Sequence, residues 1–373
     1  MKKALNVIIC LFIVLCVLAQ VTWVEAQKIK TIDGVKVIIN GKKPKPVKGE
    51  PSKLKLNEEI AIGEGDNPDE AFSEVSAFVV DDDGNIYALD FKDRKIKVYD
   101  REGKFLRMIG RKGQGPGELD MPSGIHITSD NELLIEDATT RRLAYFTLEG
   151  EFIKNVSLAN KMGLVNLVFD KKGNCLGREI GLAENKMFFE IKKYDKDIKP
   201  LFSIDKIEFA VPVPGTKLNI MDIISIFQFD SKGNIFYGRN REYEIKVYHP
   251  EGKHVYSIRK EYNPVKITQE DIDEILERIP DTGTRGMFEF PKYFPPFQNF
   301  IMDEQDRMYV RTWEKGKNKD EYVIDIFDPE GKFISQITTK ADLRLWKNNE
   351  LYTIEETDTG FRVIKRYSVS WEK

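Results

Sequence analysis

Cysteine is nearly absent. The chain holds three, and Cys10 and Cys16 lie inside an N-terminal apolar run. Beyond that run only Cys175 remains, so a chain that loses the run cannot form an intramolecular disulfide, and its stability must come from packing. Histidine is as scarce, with three residues. No apolar run after residue 26 is long enough to span a bilayer. A charge excess is missing too. Lys and Arg number 58 against 61 Asp and Glu, for a net charge of −3. That balance argues against a nucleic-acid partner, which needs a basic footprint. There is no Gly-x-Ser-x-Gly elbow and no Gly-Lys-Ser/Thr entering a helix.

What is present begins with an export signal. Lys2 and Lys3 precede an apolar stretch from Val7 to Ala19, and Val24-Glu25-Ala26 sets small residues at −3 and −1 of a cleavage site. The stretch falls short of the ~20 residues of a spanning helix, so residues 1–26 read as a signal peptide cleaved near Ala26. The expectation is a secreted or periplasmic protein with no transmembrane segment after cleavage. Residues 27–53 read as a hairpin about Asp33-Gly34 followed by a Lys/Pro linker. As such they are an appendage that the rest of the fold can lose.

The remainder repeats. "FVVDDDGNIYALDFKDRKIKVYDREGKFLRMIG" from Phe78 matches "GIHITSDNELLIEDATTRRLAYFTLEGEFIKNV" from Gly124 in order: four short apolar runs, with a polar turn, a loop and an "EG" turn between them. Runs rich in Val, Ile, Tyr and Phe between Asp, Gly and Asn read as β-meanders. Copies recur near Asn166, Ile226, Phe300 and Leu343, giving six. Corresponding turn residues are Gly84, Asn131, Gly173, Gly233, Asp306 and Asn349. Three of the five intervals are roughly 45 residues, the size of a four-stranded propeller blade. The other two are longer and announce insertions.

The last copy lacks a fourth strand, while Leu56–Phe72 looks like an orphan fourth strand at the start. The expected fold is therefore all-β: a six-bladed β-propeller of four-stranded antiparallel blades over residues 54–373, its ring closed by an N-terminal strand. A short helix is expected in the insertion between blades four and five, where Ile272, Ile275, Leu276 and Ile279 share one face, Thr268 caps and Pro280 stops. The glycine-rich Gly110–Ile125 is then a joint between blades rather than a phosphate cradle, because Pro122 and a strand follow it.

"GQGPGELDMPSGIHI" followed by a strand and Asp resembles the NHL repeat. The span Leu54–Ser370 resembles the six-bladed, TolB-like propellers of bacterial secreted proteins, and "PKYFPPFQNFIMDEQDRMYVRTW" is similar to a recurring feature of that group. The resemblance implies the fold and leaves the function open, since such propellers include binding platforms, lyases and hydrolases.

In a propeller the inner strand descends from the top face. Loops between second and third strands, and from each blade to the next, thus lie on top, where binding residues concentrate. Both insertions fall there. Arg178, Arg239 and Arg311 end the second strands of three successive blades and are candidates to hold an anionic ligand or a peptide. The alternative is pairing with carboxylates of neighbouring blades. Tyr293, Phe294 and Phe297 are candidates for an aromatic rim, or else rings that pack the insertion down.

The scattered histidines cannot converge on one ion, so no metal site is assigned. A carboxylate-bound divalent cation such as calcium is conceivable at Asp81-Asp82-Asp83-Gly84, but the same turn recurs as "DKKGN" and "DSKGN", which reads as a β-turn. Cys175 reads as core. The leading expectation is a module that binds a protein, a peptide or a small anionic ligand through its top face. The alternatives are a metal-assisted lyase or hydrolase using carboxylates at the channel, and a structural component of a cell-surface complex.

Overall fold

A computed structural model describes residues 28–46 and 53–372, apart from 66, 68, 160–162, 185, 212, 214, 240, 278, 280–284 and 319. The signal segment, Pro280 and part of the Lys/Pro linker lie outside these residues.

Six sheets form the ring; four are built from four consecutive antiparallel strands, and those of blades four and six also take in N-terminal strands. Blade one runs Val75–Val80, Ile86–Asp90, Lys95–Tyr99 and Phe105–Ile109, and blade two repeats this order from Pro122 to Ser157. Blade six consists of Asp342–Lys347, Glu350–Glu356 and Arg362–Glu372, and takes its fourth strand from Lys53–Ile62. That strand pairs antiparallel with the third from Lys53↔Glu372 to Ile62↔Ile364. The ring is thus closed by the N-terminal strand, and the two sheet edges of an open array disappear.

Alternation along each strand sends one set of side chains to each neighbouring blade. Six apolar clusters result, one per interface. Phe78, Val80 and Ile86 meet Tyr352, Ile354 and Ile364 between blades one and six. Cys175 is fully buried in the cluster between blades two and three. Stability comes from these interfaces.

The turns between first and second strands share one device in blades one to five. Asp81 accepts from the N–H groups of Asp83 and Asn85 at 3.0 and 2.8 Å. Asp170, Asp230 and Asp303 repeat the pattern with the residues two and four further on. In blade two the Thr128 hydroxyl does the same. These are Asx and ST turns. Asp81 also accepts from the Asn85 amide and the Tyr87 hydroxyl, so its carboxylate is occupied by turn donors.

The joint from Arg111 to Leu119 is held by two short parallel segments, Arg111–Lys112 and Glu118–Leu119. Gly117 has φ +71° there, and a Cβ on Gly113 would meet Glu118 Oε2 at 2.2 Å. The Glu118 carboxyl is held below its ordinary range by the Gly115 N–H and by Arg111.

The N-terminal hairpin is not an appendage. Lys28–Ile32 and Val35–Asn40 turn at Asp33 and Gly34, both with positive φ, as a two-residue Asp-Gly hairpin requires. The second of these strands then pairs in parallel with the outer strand of blade four, from Lys36↔Tyr256 to Asn40↔Lys260. Blade four is therefore a six-stranded sheet. Local sequence carries no trace of a parallel partner so far along the chain.

The insertions meet each other above blades four and five. Leu218–Asn219 pairs in parallel with Phe288–Glu289, and Met221, Ile267 and Phe294 form a small core of their own. The helix α1 spans Gln269–Glu277. Its capping box is complete: Asp271 N–H donates to Thr268 Oγ1 at 3.2 Å, and Thr268 N–H donates to Asp271 Oδ2 at 2.9 Å.

Candidate functional site

The three arginines sit on the top face but in different electrostatic company. Arg311 Nη1 lies 2.8 Å from Asp342 Oδ1. Asp342 opens the inner strand of blade six, so this pair ties two blades together. Arg239 reaches backward, with Nη1 3.6 Å from Asp205 Oδ2 on the outer strand of blade three. Arg178 reaches forward in the same sense as Arg311, to Ser225, the first residue of the blade-four inner strand. There it donates to the Ser225 carbonyl at 2.7 Å and hydroxyl at 3.1 Å.

Both partners of Arg178 are neutral. Among the described residues no carboxylate lies within ion-pair distance of it, and its Nε is buried without a hydrogen-bond partner. Burial holds its guanidinium below the usual arginine range. The one neighbour that favours its charge is Tyr237, whose own phenol is raised far above its ordinary value by burial and by Asp205. A neutral phenol supplies no counter-charge. Arginine does not shed its proton in proteins, so Arg178 is a partly buried cation with no carboxylate in ion-pair distance among the described residues, and its burial opposes its charge.

Arg239 instead lines a cleft of about 280 Å³ with Asp205, Tyr237, Arg241, Glu242, Glu244 and Lys246. Its charges are mixed. Tyr237 donates to Asp205, and Glu244 is engaged by Arg259 at 2.8 Å. Arg241 and Lys246 make no side-chain ion pair among the described residues.

The aromatic candidates divide. Phe297 is 0% exposed, in the core between blades four and five. Phe294 is buried and stacks on Trp313, with ring centroids 4.0 Å apart and planes 6° from parallel. Rings enclosed in this way hold the insertion to the blades and present no free face. Tyr293, 43% exposed, is the one open to solvent.

The carboxylates at the tops of blades one and two are used in the scaffold. Asp90 accepts from the N–H groups of Ser73 and Glu74. Asp137 accepts in the same way from Asp120 and Met121. His126 turns to the interface of blades two and three, with Nε2 2.8 Å from Glu136 and its ring 4.9 Å from that of Phe169. His249 lies in a bottom turn and His254 in an outer strand. Among the described residues no three His, Cys, Asp or Glu side chains converge as a metal site would require.

One feature has no local sequence signal. In five blades the pairing of the inner strand slips near its top, at Ser76, Ser123, Asn166, Gln298 and Arg344. Each slip leaves a polar residue out of register, as β-bulges do beside binding sites. Asn166 adopts φ +57°. Ser76, Ser123 and Gln298 donate to carbonyls of their own second strands.

Comparison with known proteins agrees with this architecture. A structure of a Bacteroides fragilis NCTC 9343 protein assigned as exported superposes with a TM-score of 0.56 at 13% identity, covering 90% of this chain and all of the other. A DUF4221 family member from Bacteroides vulgatus ATCC 8482 gives 0.53 at 12% identity, covering 86% of this chain and all of the other. At these identities the likeness is one of fold. No curated protein matches. Residues 69–273 match a family described as a 6-bladed beta-propeller. That match spans more than half of the chain, so the protein belongs to this family, DUF5128.

Proposed function

We propose that this is an exported propeller of the NHL and TolB-like type that acts as a binding module, taking an anionic group on its top face at Arg178. The observation that carries the reading is the partly buried Arg178 guanidinium, held by a carbonyl and a hydroxyl and facing no carboxylate among the described residues. Charge-assisted bonds to a guanidinium are among the stronger ones available to a ligand. Export rests on the N-terminal signal pattern ending near Ala26, with support from the exported fold neighbour. No helix among the described residues is long and apolar enough to cross a membrane. Arg239 and Tyr293 border the same face and are accessory contacts in this reading.

The test is calorimetric titration of residues 27–373 with acetate and inorganic phosphate. Wild type is expected to bind one or both, and Arg178→Gln to bind neither. Equal binding by the two proteins would refute the reading.

A further inference from the structure

Blade three is built longer than blades one, two, four and five. Its second, third and fourth strands, Cys175–Ala183, Lys186–Tyr194 and Pro200–Ala210, have 9, 9 and 11 residues. Those of blade one have 5 each. The inner strand of blade three ends its pairing at Val165↔Arg178, so the extra residues of all three strands project above the top face. At ~3.3 Å per residue the resulting flap rises roughly 15 Å.

Alternation decides what the flap presents. Arg178, Ile180 and Leu182 share a face with their cross-strand partners Ile191, Phe189 and Met187, and with Ile207 and Phe209 beyond them. The row is continuous. The Arg178 guanidinium lies 5.2 Å over the Phe189 ring, and that ring lies 4.8 Å from Phe209. Near the foot Ile191 and Ile207 are buried. Near the tip Met187 and Phe209 are half-buried and Leu182 is 59% exposed. The strip is covered at its foot, where Ile223 packs against the Ile191 and Ile207 cluster, and opens to water toward Leu182. A partly open apolar strip on a projecting sheet marks an interaction surface, and this one leads from a cation with no carboxylate in ion-pair distance among the described residues.

We infer that the ligand of this face is a small anionic amphiphile, a carboxylate or phosphate head with an unbranched alkyl chain. The head meets Arg178 and the chain lies along Phe189, Phe209, Met187 and Leu182. The inference rests on the anion-binding reading of Arg178 and adds the chemistry of the remainder of the ligand. The distance along the strand from Arg178 to Leu182 is roughly 13 Å, which suits a chain of about ten carbons. Phenylalanine and methionine supply the adaptable apolar contacts that such a chain needs.

The experiment titrates residues 27–373 with acetate, butanoate, hexanoate and decanoate, each below its micelle concentration, and with decyl phosphate and decyl maltoside. Affinity is expected to rise about fourfold per added methylene, with decanoate and decyl phosphate bound and the neutral decyl maltoside bound far more weakly. Arg178→Gln is expected to abolish the preference for the charged heads. The double variant Leu182→Asp, Met187→Ser, at the exposed and half-buried tip positions, is expected to bind butanoate and decanoate alike while its unfolding stays cooperative in a thermal melt. Carboxylates bound with no dependence on chain length overturn this inference and leave the anion site standing; a peptide pairing with the open edge of the flap would give that result. Chain-length dependence that survives the double variant also overturns it. If no anion binds, or if Arg178→Gln changes nothing, the underlying reading fails as well.

Discussion

Asn40 accepts a hydrogen bond from the backbone N–H of Phe333 at 3.0 Å, and its amide donates to the Gly331 carbonyl at 3.0 Å. Asn40 ends the hairpin on blade four, while Phe333 opens the outer strand of blade five. One side chain therefore serves two backbone groups of the neighbouring blade. Asn40→Ala leaves a buried N–H and a carbonyl unpaired, at about 1–3 kcal/mol each. A loss of about 2–4 kcal/mol is expected in urea denaturation. Unchanged unfolding in the alanine variant would separate the hairpin from the cooperative unit.

Stepwise truncation distinguishes hairpin from closure strand. Removing residues 27–52 strips two strands from blade four and is expected to lower the melting temperature while unfolding stays cooperative. Removing residues 27–62 also takes the fourth strand of blade six. It deprives Arg366 of Glu59 and Lys365 of Glu58, and it exposes the edge of Arg362–Glu372. That variant is expected to aggregate, read by size-exclusion chromatography; a monodisperse product would contradict the closure account.

Arg178 and Arg311 are expected to respond oppositely to the same substitution. Glutamine at 311 removes the cation that Asp342 meets at 2.8 Å, and a loss of about 1 kcal/mol is expected with anion binding intact. Glutamine at 178 still has a donor for the Ser225 carbonyl and removes an unbalanced charge. Its melting temperature is expected to match wild type while anion binding disappears. Thermal melts beside phosphate titration decide the matter, and a swapped pattern would exchange the roles of the two residues.

His254 sets an acid limit. Burial, with help from Lys246, holds its imidazole below the ordinary 6.5, against the Tyr256 carbonyl and Glu244. A base whose folded pKa is depressed binds fewer protons in the folded state than in the unfolded chain. Its contribution is therefore complete above pH 6.5 and shrinks as the pH falls below it. His254→Gln is expected to flatten the fall in melting temperature on going from pH 7 to pH 5. An unaltered slope would locate the acid sensitivity elsewhere.

Repetition made the ring legible in the sequence. Four runs per copy, Asp or Thr at the head of the first turn in five of the six copies, and a sixth copy lacking a strand all leave local marks. The Asp81, Asp170 and Asp230 turns show why, since each carboxylate bonds to groups two and four residues away. What the sequence hid depends on distant partners. The parallel pairing of Val35–Asn40 with His254–Lys260 has no short-range signature. The three arginines share a spacing, but Ser225, Asp342 and Asp205 make them chemically unlike, and each of those partners comes from another blade. The flap of blade three could be read only once the strand register was known, because Leu182 and Arg178 become neighbours on a face through pairing.

The hairpin also governs how the molecule bears load. Tension applied at Lys28 meets first the ladder between the two hairpin strands, next the one that joins Val35–Asn40 to blade four, and then the Asn40 clamp on blade five. The Lys45 N–H, bonded to the Phe333 carbonyl at 2.8 Å, comes after it. Only past these does the pull arrive at Lys53, where the closure strand begins. A force on the N-terminal side is thus spread over two neighbouring blades before it can unzip the seam of the ring, so the seam is mechanically shielded from whatever holds or tugs that end of the chain.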